Sequence, residues 1–377
     1  MRDIGVDIRV VGLLTLAQAP WSFKVFWSPL MDRYVPPFWG RRRGWMAVTQ
    51  IALAILVLML AGVGERPEAI WVVGALAFAI AIASASQDIA IDAYAVEVLH
   101  KDEQGAAVGA RLAFYRAAML VSGGVAITLA AEIGWPLVNA LLAVVFVLLV
   151  LLTRHSPEPE TQPAPPSSLR DAVWLPLLGM FRRNRAIEIL AFVVLYKLGD
   201  QLTQSLTRPF LIDMGYDALH RGIALATLSV IFTVSGTFIG GIVTTAVGLG
   251  RALWIFGGLQ IFSNLGYFLL SVLDGPNVAA MYAATGCEVF TSGLGMGAFG
   301  VLLLRLTEKR FSATQYALFS SLFALPRVVA GPITGFAVNA VGWPAFFLIT
   351  MLLGVPGLLM LARFVPIRGR EPEWDGP

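Results

Sequence analysis

Residues 70–99 read IWVVGALAFAIAIASASQDIAIDAYAVEVL, and the stretch from Ile70 to Gln87 holds no ionisable side chain. An α-helix rises ~1.5 Å per residue, so about 20 apolar residues reach across the ~30 Å hydrocarbon core of a bilayer. A strand of a membrane barrel would alternate apolar and polar residues over about 10 positions, and this run does not alternate. Lipid offers the backbone no water, so each N–H and C=O must bond within the segment. The run is read as a membrane-crossing helix.

Ten further apolar runs accompany it, at 8–30, 45–63, 106–131, 135–152, 186–213, 222–249, 252–273, 279–306, 312–341 and 343–366. Of the 377 residues 57% are hydrophobic and 14% charged, where a soluble domain carries about 45–50% apolar and about 25% charged residues. The sequence therefore predicts an all-α membrane protein with eleven spans and argues against a water-soluble enzyme. Nucleic acid is not an expected partner: 27 basic and 24 acidic residues leave a net charge of +3, and nucleic-acid binding would not explain the oily composition. Cys287 is the single cysteine, and His100, His155 and His220 are scattered. No metal site or cofactor is expected.

Lys and Arg concentrate in loops that face the cytoplasm. One set of alternate loops and the C-terminal tail hold 17 of them, the opposite loops hold 4, and the other 6 lie inside spans. This asymmetry predicts a cytoplasmic C-terminus and, with eleven spans, an N-terminus outside. The longest interruption, 153–185, begins with the Pro-rich SPEPETQPAPPSS and is expected to be a cytoplasmic linker. Trp174, Leu177, Leu178 and Phe181 follow at i, i+3, i+4, i+7 spacing, with Arg182, Arg183 and Arg185 behind them, the pattern of a helix lying on the membrane surface. The linker separates an N-terminal bundle, 1–152, from a C-terminal bundle, 186–377. The basic loop SPLMDRYVPPFWGRRRGW follows the first span of the first bundle, and a weaker echo, GGIVTTAVGLGRALW, follows the second span of the second. The spans number five and six, so the pattern suggests a duplicated twelve-helix parent whose first helix is missing here. Internal duplication is itself typical of secondary transporters.

An ionisable group near the bilayer centre costs a few kcal/mol and marks function or a structural pair. Arg116, Lys197, Asp200, Glu288 and Arg327 all fall near the middle of their spans. Lys197, Asp200, Gln201 and Gln204 make one polar helical stripe. Solute sites of repeat transporters lie at this depth. The candidate substrate contacts are therefore Tyr115, Arg116, Lys197, Gln201, Gln204 and Arg327. Asp200 and Glu288 are the candidate proton carriers. A helix–helix hydrogen-bond seam is the bland alternative for the stripe. Asp88 and Asp92, one turn apart, lie toward the cytoplasmic end of their span, as does Lys24 on another. They are expected to join Asp32, Arg33, Arg41, Arg42 and Gln87 in a salt-bridged latch at the inner gate, with direct solute or proton binding and a purely static ion pair as the alternatives.

These residues carry a resemblance. FKVFWSPLMDRYVPPFWGRRRGW at 23–45, SQDIAIDAYAVEVL at 86–99, YRAAMLVSGG at 115–124, YKLGD at 196–200 and FSATQYALFSSL at 311–322 resemble the AmpG-like muropeptide permeases of the major facilitator superfamily, which are grouped with the acetyl-CoA transporters. The likeness covers nearly the whole chain from residue 4. The superfamily's inner-loop motif looks like Gly-x-x-x-Asp-Arg-x-Gly-Arg-Arg. Here Ser28 replaces the Gly, Asp32 and Arg33 match, and Val35 to Trp39 are inserted before Gly40, Arg41 and Arg42. The resemblance implies the two-bundle fold of that superfamily, a bacterial inner-membrane location and proton-driven import of anhydro-muropeptides. An acyl-CoA or another anionic solute is the alternative cargo. A membrane-embedded transferase would need a catalytic cluster that the loops do not supply. A channel would need a filter segment that is not visible.

Overall fold

The apolar runs become helices because lipid leaves the backbone no other partner. The computed structural model describes residues 19–63, 69–159, 163–182 and 185–365, together with 369 and 372, and no β-strand occurs among them. In chain order the helices are α1 (Ala19–Phe23), α2 (Ser28–Arg33), α3 (Arg41–Val63), α4 (Ile70–Val98), α5 (Gln104–Ile133), α6 (Trp135–His155), α7 (Leu169–Arg182), α8 (Ala186–Leu195), α9 (Leu198–Asp213), α10 (Ala218–Val247), α11 (Leu249–Ser271), α12 (Val278–Leu306) and α13 (Ser312–Leu361). Eight helices among the described residues are long and apolar enough to cross a membrane. Three of the eleven expected runs differ in form. Run 8–30 lies outside the described residues up to 18 and is broken into short helices from Ala19 on, run 186–213 is divided between α8 and α9, and run 312–341 continues into 343–366 across a kink at Gly342.

The chain forms two compact units. One contains the residues up to Val98, Ala117–Leu178 and Thr307–Ser321; the other contains Leu99–Arg116, Gly179–Leu306 and Leu322–Pro377. Within the first, Met31, Met46, Ile89, Ala90, Ala93, Ala313 and Ala317 form a packed core. The alanines of IAIDAYA let α4 approach the start of α13 closely. Trp39 and Gly40 take φ of 58° and 74° and turn the chain into α3. Ahead of α7, Ser168 Oγ accepts the Asp171 N–H at 3.1 Å. The Ser167 hydroxyl donates to the Asp171 carboxylate and holds it below the usual carboxylate range.

Within the second unit, α10 and α12 touch backbone to backbone. A Cβ on Gly240 would stand 2.4 Å from the Leu294 carbonyl oxygen, and one on Gly297 2.6 Å from that of Thr237. Small residues are how membrane helices approach this closely. Phe210, Tyr267, Phe346 and Phe347 fill the core between α9, α11 and α13. Many large apolar side chains, Phe114, Ile187 and Phe336 among them, are exposed, as suits a surface bathed in lipid. The tripeptide Gly-Trp-Pro turns the chain between spans twice, at 134–136 and 342–344, with Gly φ of 78° and 76°. Gly tolerates that backbone, and Pro in the first turn of the next helix gives up an N–H that had no partner.

Candidate functional site

A cavity of about 330 Å³ lies inside the second unit. Arg116 from α5, Lys197 at the break between α8 and α9, Asp200, Gln201, Gln204 and Thr207 from α9, Tyr267 from α11 and Thr285, Glu288 and Ser292 from α12 line it. The break makes the site. At Lys197 the backbone leaves helical geometry, with φ −107° and ψ 6°. An interrupted span is tolerated in lipid only where protein or a wet cavity takes up the freed polar groups. Lys197 and Asp200 are both buried. The Lys197 ammonium donates to Asp200 Oδ2 at 2.7 Å, Gln260 Oε1 at 2.5 Å, and Ser292 O and Oγ at 3.0 Å each. Gln260 is itself fixed by donating to the Phe256 carbonyl at 2.9 Å. Its amide fits because Gly295 has no side chain, and a Cβ there would collide with it. Gln204 Nε2 donates to Glu288 Oε1 at 3.1 Å and to Ser292 Oγ at 3.0 Å.

Several polar atoms at this cavity have no partner among the described residues. Arg116 Nε and Gln201 Oε1 are two, and the hydroxyls of Tyr267 and Thr285 make no hydrogen bond of standard geometry. Buried polar atoms cost free energy unless bonded. Orphans converging on one hollow from four helices mark a place built for water or a polar solute.

A second polar cluster lies inside the first unit. Lys24 Nζ stands 2.6 Å from Asp88 Oδ2 and 3.6 Å from Asp92 Oδ2. Asp32 caps α13: it accepts the Thr314 N–H at 2.8 Å, the Thr314 hydroxyl at 2.6 Å and the Ala313 N–H at 3.3 Å. Arg42 bridges Asp32 at 2.6 Å and Glu97 at 2.6 Å. Arg41 reaches Glu97 at 2.9 Å, and Ser312 donates to Glu97 at 2.6 Å. A carboxylate at a helix N-terminus satisfies free N–H groups and meets the positive end of the dipole. Gln87 accepts a hydrogen bond from Thr49. Arg33 lies over the Tyr34 ring, 5.6 Å from its centroid.

Membrane-crossing helices, a broken span at a charged hollow and a basic loop tied to the start of a distant helix narrow the family, and the Major Facilitator Superfamily profile matches residues 1–331. The chain belongs to the Major Facilitator Superfamily. Within it the chain falls in the AmpG-like branch: it is 43% identical over 358 residues to the anhydromuropeptide permease of Escherichia coli (strain K12), covering 94% of this chain and 72% of that one. The human organic anion transporter MFSD10 (TETRAN) has a similar fold, with a TM-score of 0.70 at 15% identity, over 95% of this chain and 86% of that one. The transporter FucP in its outward conformation gives 0.66 at 17% identity, over 93% and 89%. The protein is thus an integral membrane transporter of a small molecule.

In this superfamily member the structure gathers Arg116, Lys197, Asp200, Gln201, Gln204 and Glu288 around one hollow. Tyr115 is 59% exposed and does not line it. The Arg327 side chain lies outside the described residues. Sequence reasoning passed over Glu97, Gln260, Tyr267 and Thr285. Glu97 stood within the quoted SQDIAIDAYAVEVL stretch but nine residues beyond Asp88, which is about 180° round a helix. The hint for Gln260 was weaker: it is one of two amides, with Asn264, in a mostly apolar span.

Proposed function

We propose that this transporter imports anhydro-muropeptides, sugar–peptide fragments of cell wall, from periplasm to cytoplasm across a bacterial inner membrane, together with protons. The observation that carries the reading is the hollow with its orphaned polar atoms, in a chain 43% identical to a protein named anhydromuropeptide permease. Arg116 is the group that pairs with the solute's carboxylate, because guanidinium offers a planar fork of donors. Gln201 and Gln204 supply amide contacts, Lys197 borders the solute as the partner of Asp200, and Arg327 is a second cationic contact. Asp200 and Glu288 are the two candidate groups for proton coupling. Residues 1–152 and 186–377 act as the two bundles, with 153–185 a cytoplasmic linker and the C-terminus in the cytoplasm.

Lys24, Asp32, Arg33, Arg41, Arg42, Gln87, Asp88 and Asp92 form the inner latch in this proposal. The ties from Asp32, Arg42 and Glu97 to the start of α13 join residues far apart in sequence, which supports a contact that must release when the inner side opens. The test is uptake of labelled anhydro-muropeptide into vesicles. Saturable uptake, with KM raised at least tenfold by Arg116→Gln, is expected. Absent uptake, or competition by acyl-CoA but not by unlabelled muropeptide, would overturn the assignment.

A further inference from the structure

The proposal above leaves two carboxyl groups at the hollow as proton carriers, and their surroundings differ. Asp200 is bonded to the Lys197 ammonium at 2.7 Å. That ammonium's remaining donors are engaged by Gln260 and Ser292. A proton placed on Asp200 would leave a buried Lys197 charge without its counter-ion, the arrangement that costs most in a dry interior. Glu288 is 1% exposed, and the one hydrogen bond to its carboxyl group among the described residues comes from the neutral Gln204 amide. No Lys, Arg or His nitrogen lies within 4.0 Å of it among the described residues. An ionised carboxylate there would lose water with no cation in direct contact to replace it, whereas the acid form keeps the Gln204 bond and sheds the charge.

We infer that Glu288 is the side chain that takes up and releases the transported proton, while Lys197 and Asp200 remain a fixed, internally neutral pair. This rests on the proton-coupled reading above. The charged and titratable groups around Glu288 come from each neighbouring element: Lys197 and Asp200 from the α8–α9 break, Tyr267 from α11 and Arg116 from α5. A water-borne proton adds to the Glu288 carboxylate when the hollow faces one side and returns to water when it faces the other. No other bond is made or broken. An anionic solute paired with Arg116 brings negative charge into the same hollow, which favours the acid form of Glu288. By reciprocity, the loaded proton favours the solute.

The test reads protonation directly, in the full chain reconstituted in lipid. Infrared difference spectra across a pH step are expected to show the C=O stretch of a titrating carboxylic acid in the parent protein and in Asp200→Asn, and to lose it in Glu288→Gln. If Asp200→Asn alone does not fold, the neutral double replacement Lys197→Gln/Asp200→Asn takes its place. A band that survives in Glu288→Gln, or vanishes with the Asp200 replacement, overturns the inference. In vesicles, Glu288→Gln should lower gradient-driven accumulation at least tenfold relative to solute exchange, and an unchanged ratio also overturns it. Failure of the parent protein to take up muropeptide would refute the cargo and leave the spectroscopic assignment readable.

Discussion

Replacing Asp32 by Ala should free the start of α13. The side chain is fully buried and accepts four hydrogen bonds, two from the first N–H groups of α13, one from the Thr314 hydroxyl and one from Arg42. Loss of a helix cap costs ~1–2 kcal/mol, and removing one partner of a buried ion pair ~3–5 kcal/mol. Arg42 keeps Glu97 at 2.6 Å and the Met31 carbonyl at 3.2 Å, and the two losses share one side chain. The two costs therefore overlap rather than add, and the low end of the ion-pair figure, about 3 kcal/mol, is taken, on the order of 100-fold in the equilibrium between docked and released α13. The assay is the labelling rate of a cysteine at Ala317, which is buried beside Met31 and Met46, with Cys287 changed to Ser. A membrane-impermeant maleimide applied to the basic-loop side should react at least tenfold faster in Asp32→Ala than in the parent. Asp32→Asn, which retains an acceptor for the cap, should fall between. An unchanged rate in folded Asp32→Ala would refute the reasoning.

Asp88→Asn weakens the Lys24 contact but leaves Asp92 nearby, so its effect should be smaller. About 1 kcal/mol, or fivefold in labelling of a cysteine at the buried Ser28 position, is expected, and an identical labelling pattern would remove Lys24–Asp88 from the latch. Gly241→Ala places a Cβ 2.0 Å from the Gly105 carbonyl oxygen, with backbone rather than a flexible tip in the way. It should destabilise the protein in detergent by ~1–3 kcal/mol, and an unshifted melting temperature would show that α5 and α10 do not pack as described.

Much of this was legible in the sequence because lipid enforces simple rules. A run such as 70–99 can only be a helix, and a carboxylate such as Asp88 four residues from Asp92 needs a cation within reach, which Lys24 supplies. The stripe Lys197, Asp200, Gln201 and Gln204 showed itself by spacing alone. What the sequence hid was phase and partners. Tyr115 and Arg116 are neighbours in the chain but ~100° apart round a helix, so one is exposed while the other lines the hollow. The break at Lys197 carries no proline or glycine before it, and the tie from Asp32 to Thr314 spans 282 residues. No local pattern announces a contact between segments so distant. Gln260 became visible only once Gly295 showed the space that its amide occupies.

The proposed coupling of solute to protons resides in the charged hollow. It is tested most directly by the inside-to-outside ratio of labelled anhydro-muropeptide in proteoliposomes under an imposed pH gradient. Accumulation above unity that collapses to equilibrium on adding a protonophore is predicted. Uptake that reaches the same level with and without the gradient would contradict the account.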